Sequence, residues 1–325
     1  MRELMPRRAV LRAGLIIGAG GLLLPAAACT PEPKPQQLTV AGGESGGFYL
    51  EFATLLAGLL QREGIAGTAT PVVTGGSLDN VRRVLSGEAT LAVALADTAV
   101  VEAAAHERGD GLVALGKVYE NYVHCIVRED SGIRSFSELG GRTAAVGEVG
   151  SGTTLTAARI IAAAGLGSEQ APDSALKQVN LGLNQALAAL QDGSIDVMIQ
   201  SGGVPTAPVV AAAKETELRL LDLSGIIPAT RAQSGFFYDR VLIPANSYGQ
   251  APAVWTVGVA NLLLCRRDLP DALATGTVEL LVEHARDLVP ASSAGVQFLS
   301  PETLINTAGV PLHPAAAAAY QALHG

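Results

Sequence analysis

The sequence predicts an α/β protein of two lobes, each a mostly parallel sheet with helices on both faces, joined by crossing strands. Three observations lead there. Short, continuous aliphatic runs alternate with segments whose apolar residues recur every three or four positions, the signatures of buried strands and amphipathic helices. Strands without a polar face need cover on both sides, which parallel sheets between helices provide. The alternation restarts in mid-chain and so implies two sheets. Two apolar runs, residues 122–127 and 254–265, are longer than their neighbours and suit strands that link the lobes. One lobe would be residues 38–125 plus 262–325, the other residues 126–261. A chain of 325 residues has room for two medium domains, and a hydrophobic content of 49% excludes intrinsic disorder.

The elements follow in order. Leu38-Thr39-Val40-Ala41 reads as a strand and leads into a glycine-rich turn. Phe48, Phe52, Leu55, Leu56, Leu59 and Leu60 then mark one face of a helix. A strand is expected over residues 71–74, followed by a helix with Leu78, Val81, Val84 and Leu85 on its apolar face. Residues 90–96 read as a buried strand, with Asp97 placed to cap the next helix. Ser135-Phe136-Ser137-Glu138 has the capping-box pattern. Residues 142–146 and 195–199 read as strands, and residues 155–164 and the stretch around Leu187 and Leu190 as helices. Residues 314–323, alanine-rich behind Pro314, close the chain as a helix.

Residues 1–29 read as an export leader rather than part of the fold. Arg2, Arg7, Arg8 and Arg12 precede an uncharged apolar stretch over residues 13–24, too short to span a bilayer, which takes about 20 residues. Arg7-Arg8 with its surroundings is similar to a twin-arginine signal, a plain Sec signal being the other reading. Ala26-Ala27-Ala28-Cys29 is similar to a lipobox, so Cys29 is the expected lipidation site, with ordinary cleavage near Ala28 as the alternative. The proline-rich residues 30–37 would tether the folded part to a membrane surface. The expected location is extracytoplasmic and lipid-anchored.

Composition narrows the partners. The net charge is −8 although residues 1–28 hold four Arg and one Glu, so the remainder is still more acidic and nucleic acid is not an expected partner. There is no CxxC among the three cysteines. Cys125 and Cys265 lie in aliphatic runs and read as buried small hydrophobes. No two of the five histidines have metal-ligand spacing; neither a metal nor a cofactor is expected.

Three turns stand where open α/β sheets bind ligands, between a strand and the next helix. They are Gly43-Glu44-Ser45-Gly46-Gly47-Phe48-Tyr49, Thr74-Gly75-Gly76-Ser77, and the turn from Gly147 through Gly150, Ser151, Gly152 and Thr153 to Thr154. Glycine lets the backbone approach a ligand, hydroxyls add hydrogen bonds, and unpaired helix-start N–H groups favour a carboxylate. Each could equally be a tight turn and nothing more; three together favour a cleft. Gly43-Glu44-Ser45-Gly46-Gly47 also fits the nucleophile elbow GxSxG, which makes a serine hydrolase a weaker alternative, with Asp287 and His313 as nominal partners of Ser45.

Ordered motifs along residues 38–325 carry a further resemblance. They are Thr74-Gly75-Gly76-Ser77-Leu78-Asp79-Asn80, Gly87-Glu88-Ala89 with Asp97 downstream, Arg128-Glu129-Asp130-Ser131-Gly132-Ile133, Val146-Gly147-Glu148-Val149-Gly150-Ser151-Gly152-Thr153, Gly193-Ser194-Ile195-Asp196, Ser201-Gly202-Gly203-Val204-Pro205-Thr206, Ile243-Pro244-Ala245, Tyr248, and Pro311-Leu312-His313-Pro314. In these the chain resembles the TAXI-type solute receptors of TRAP transporters. The resemblance implies a periplasmic-binding-protein-like fold of the two-lobed, type II-like kind, capture of a small organic anion of the amino-acid or oxo-acid class, and no catalysis. It implies TRAP membrane subunits as partners, separate or fused, and a monomeric receptor. Carried onto this chain, it puts Ser45, Gly47, Tyr49, Ser77, Asn80, Ser151, Gly152, Thr153, Thr154, Ser201 and Gly202 at the ligand, with Asp97 capping its helix or meeting a ligand ammonium. Phe48, Leu50 and Leu95 stand where relatives carry polar residues or a tyrosine, which implies a more apolar pocket and a branched or aromatic carboxylate. A sensory receptor built from the same lobes is the alternative to a transport role.

Overall fold

The computed structural model describes residues 37–105, 111–167, 174–291 and 301–324. The expected leader with Cys29, the tether up to residue 36, and His106 lie outside the described residues. Gln37, the last tether residue, opens the first strand. The first half runs β1 (Gln37–Ala41), α1 (Phe48–Arg62), β2 (Thr68–Val72), α2 (Ser77–Ser86), β3 (Leu91–Leu95), α3 (Ala96–Ala105) and β4 (Leu112–Arg128). The second runs β5 (Thr143–Ala145), α4 (Gly152–Ala163), β6 (Lys177–Val179), α5 (Leu183–Asp192), β7 (Val197–Gly202), α6 (Ala207–Glu215), β8 (Leu218–Leu220), α7 (Ile227–Ser234), β9 (Tyr238–Ile243) and β10 (Val254–Arg266). It ends with α8 (Asp271–Glu283), α9 (Pro301–Leu304) and α10 (Pro314–His324).

Two parallel wings flank an antiparallel centre. β1 pairs in parallel with β2 and β3, and β5 with β6 and β7. β4 and β10 are antiparallel to each other, to β3 on one side and to β7 on the other. The wings are therefore one hydrogen-bonded path, β2-β1-β3-β10-β4-β7-β5-β6, where two separate sheets were expected. The reason is the length of the crossing strands. β4 has 17 residues, about 55 Å at roughly 3.3 Å each, so its first part pairs with β10, which borders β3, and its second part pairs with β7. Apolar packing still divides the molecule. Two buried clusters draw on residues 38–119 and 260–320, and two on residues 122–259 together with Leu95. Cys125 and Cys265 are buried free thiols in clusters on opposite sides of that division.

Several boundaries differ from the sequence reading. β4 starts at Leu112, ten residues before the expected run; Lys117, Glu120 and Asn121 interrupt its apolar pattern, and the first two are ion-paired with each other at 2.6 Å. β2 ends at Val72, and beyond it the Thr74 hydroxyl donates to Asn80 Oδ1 at 2.6 Å, with Gly42 O 3.1 Å away. Asp97 is not a cap: β3 passes straight into α3, and Asp97 is the helix's second residue. Ser135 and Glu138 bond each other side chain to side chain, at 2.8 Å, at a short 3₁₀ turn. α4 starts at Gly152, earlier than expected, with Ser151 Oγ accepting from the Thr154 N–H at 3.2 Å as its cap.

Strand order positions the site. In one wing the chain leaves β1 for β2 and returns to β3 on β1's other side; in the other it leaves β5 for β6 and returns to β7. Each reversal opens a crevice at the carboxyl ends of the strands, and the two crevices face each other across β4 and β10.

Candidate functional site

The crevices merge into a single cleft. One wing supplies Gly43, Glu44, Gly47, Phe48 and Tyr49 from the turn after β1, Gly75 to Ser77 from the turn after β2, and Leu95 from the end of β3. The other supplies Ser151 to Thr153 at the start of α4, Leu183 at the start of α5, Gln200 to Gly202 at the end of β7, and Thr206. Asn121 enters from β4. The cleft is partly open to solvent and holds a cavity of about 50 Å³.

Its polar groups are held by specific partners. The buried Ser77 hydroxyl accepts from the Leu95 N–H at 3.1 Å and lies 3.3 Å from Tyr49 Oη. Burial keeps the Tyr49 phenol protonated, its pKa pushed above the ordinary value. Thr153 Oγ1 accepts from the Ser201 N–H at 3.3 Å, tying the start of α4 to the end of β7. Asn121, 1% exposed, donates to Ser201 Oγ at 3.2 Å and keeps a carbonyl oxygen with no protein partner. Thr206 is positioned through its N–H, which donates to Tyr248 Oη at 2.9 Å; that hydroxyl in turn lies 2.7 Å from His124 Nε2.

Of the residues singled out in the sequence, Gly47, Tyr49, Ser77, Ser151, Gly152, Thr153, Ser201 and Gly202 line this cleft. Four others stand elsewhere. Ser45 is exposed and lines an outer groove. Asn80 is fully buried beneath the site: its amide donates to Gly42 O and to Val93 O and accepts from Thr74, which staples the ends of three strands. Thr154 folds back onto its own turn, donating to Glu148 O at 2.6 Å. Asp97 is fully buried and meets the other wing. It accepts from Thr156 Oγ1 at 2.9 Å and Tyr238 Oη at 3.0 Å, and pairs with Arg159 at 3.2 Å. Burial raises its carboxyl above the ordinary range, against the pull of Arg159 and the hydroxyls.

The sequence reading missed Glu44, Asn121, Leu183, Gln200 and Thr206 as cleft residues. Glu44 lies in the first of the three turns and Thr206 closes the motif that begins at Ser201; Asn121, Leu183 and Gln200 are brought to the cleft by folding. Among the described residues, Glu44 is the one charged residue of the cleft lining. Its Oε2 accepts from the Leu183 N–H at 2.8 Å, across the cleft. Desolvation raises its pKa, the Leu183 N–H lowers it, and Glu148 nearby raises it again.

The wings touch directly here. The Leu78 N–H donates to Gly150 O at 3.2 Å, and Asn184 donates to Ser45 O at 3.3 Å. A Cβ on Gly152 would collide with Ser77 Oγ, so glycine allows the starts of α2 and α4 to meet.

A family model described as the NMT1-like family matches residues 40–322. Among solved structures, the chain is similar to MatC from Rhodopseudomonas palustris with bound malate, at 16% identity over 79% of this chain and 86% of that one, with a TM-score of 0.51. It is similar to a Bordetella bronchiseptica RB50 protein, at 13% identity over 90% and 100% of the two chains, TM-score 0.52. It is also similar to XAC2383 from Xanthomonas citri bound to chloride ion, at 13% identity over 89% and 96%, TM-score 0.50. At these identities the likeness establishes the two-lobed α/β fold.

Proposed function

The chain belongs to the NMT1-like family, and from that premise we propose that it is an extracytoplasmic solute-binding protein, one that captures a small organic carboxylate and delivers it to the membrane subunits of a TRAP-type transporter. One observation carries the reading. The starts of α1, α2 and α4, helices of 15, 10 and 12 residues, converge on one cleft beside the hydroxyls of Ser77, Ser151 and Thr153 and a buried amide oxygen with no protein partner. Helix-start N–H groups and hydroxyls bind a carboxylate without a cation. MatC holds malate in the same fold, so organic acids are a class this architecture accommodates.

In this reading the lobes are residues 38–125 plus 262–325 and residues 126–261, and β4 and β10 are the hinge. Ligand shifts the protein to a closed form only through contacts made there and not when open. Eight of the cleft's described lining residues come from the turns after β1 and β2 and the helix starts that follow them, and six from the start of α4 and the end of β7, so a bound solute bridges both lobes. Phe48, Tyr49, Leu95 and Leu183 give it an apolar flank, which suits a branched or aromatic carboxylate. TRAP subunits as partners, a monomeric state and a lipid anchor at Cys29 belong to the same proposal.

Capture needs no covalent step. Ser45 is exposed, and the described histidines have other partners: His124 bonds Tyr122 O and Tyr248, His284 bonds Asp287, and His313 bonds Leu269 O and the Ala315 N–H. These contacts favour binding over the hydrolase reading.

The test is native mass spectrometry of the purified protein together with thermal-shift screening of small carboxylates. A copurifying acid is expected, and a rise in Tm of about 5 °C at a hundredfold excess over Kd. No bound molecule and a flat screen would sink the reading.

A further inference from the structure

The cleft combines donors for a carboxylate with a charge of the opposite preference. Among the described residues that line it there is no Lys, Arg or His. Its one charged residue is Glu44, and among the described residues no cation pairs with it. Glu44 accepts from the Leu183 N–H and lies near the Gln200 side chain, two neutral groups that leave its negative charge uncompensated. Asn121 adds a buried acceptor oxygen with no protein partner. A second carboxylate approaches from the opposite wing: Glu44 Oε2 and Glu148 Oε1 lie 2.9 and 2.6 Å from the point a Gly182 Cβ would occupy. Bringing two like charges together opposes closure. Asp97, the residue whose type and place in the sequence suit an ammonium, is already matched by Arg159.

From this geometry we infer that Glu44 is the counter-charge for an ammonium group, so that the solute is a 2-amino acid in its zwitterionic form rather than a 2-oxo acid or a simple organic anion. The inference rests on the solute-binding reading and narrows its ligand class. The helix starts and hydroxyls take the carboxylate, while Glu44 takes the ammonium. The ammonium also offsets the repulsion between Glu44 and Glu148 as the wings approach, which gives the ligand a higher affinity for the closed form than the open one.

The experiment is isothermal calorimetry on the purified protein with matched pairs: alanine and pyruvate, valine and 3-methyl-2-oxobutanoate, glutamate and 2-oxoglutarate, phenylalanine and phenylpyruvate. In the best-binding pair the amino member is expected to bind at least tenfold more tightly. Glu44→Gln, its fold checked by its melting curve, is expected to weaken the amino member at least tenfold and to leave the oxo member within threefold. An oxo member that binds the unaltered protein as tightly as its amino partner would overturn the inference and leave solute capture standing. Equal weakening of both members by Glu44→Gln would overturn it too. Silence from all eight compounds would remove the inference and the solute-binding reading together.

Discussion

His124 sits in the apolar part of β4, 1% exposed, because both ring nitrogens are satisfied. Nδ1 lies 2.9 Å from Tyr122 O and Nε2 2.7 Å from Tyr248 Oη. The Tyr248 oxygen already accepts the Thr206 N–H, so its proton goes to Nε2, and Nδ1 carries the ring proton. The neutral ring thus holds the chain from β4 to Thr206 at the cleft. Burial pushes its pKa down to about 4, below the unfolded value of roughly 6.5. Between those values the unfolded chain binds more protons, so stability falls as pH falls through that window. Denaturant titrations at pH 7 and pH 4.5 are expected to show a loss in the unaltered protein about 2–3 kcal/mol larger than in His124→Gln. Equal losses would refute the assignment. The same scale shows where sequence reading stops: Asn80 and Asp97 look like site residues by type and spacing, yet their polar atoms are consumed by Gly42, Val93 and Thr74 in one case and by Arg159, Thr156 and Tyr238 in the other.

Helices and turns were the most legible elements. The apolar face of α1 is given by Phe48, Phe52, Leu56, Leu59 and Leu60, all buried, and period alone places them. The turn before α4 was recognised by its glycines, but the role of Gly152 was not. Its missing side chain matters only because α2 of the other wing lies against it. Gly152→Ala is therefore expected to retain the fold, since alanine favours a helix, while holding the wings apart. Calorimetry should show ligand affinity reduced at least tenfold with the melting curve of the unliganded protein little changed. Unaltered affinity would show that these two helix starts need not meet. β4 was the least legible element, because Lys117, Glu120 and Asn121 break its pattern. That pattern records two surroundings along one strand rather than one.

Across the whole molecule, Asp97 with Arg159, Thr156 and Tyr238 is a buried polar link between the wings. Removing one partner of a buried ion pair leaves the other desolvated and uncompensated. Arg159→Met is expected to lower unfolding stability by about 3 kcal/mol, read by urea titration. Asp97→Asn combined with Arg159→Met should recover more than half of that loss, because no unmatched charge remains. A double variant as unstable as the sum of the single ones would show that the two side chains act independently.

By itself the sequence determined the alternation of strands and helices, the parallel wings and the three glycine-rich turns that line the cleft, because apolar period and turn chemistry are local properties read over a few residues. Only the tertiary structure decided that the wings share one hydrogen-bonded path, that Asp97 is spent on Arg159, and that Glu44 is the charge facing the cleft. Those outcomes depend on which distant groups meet, and a carboxylate's role follows from the partner that folding brings to it rather than from its neighbours in the chain.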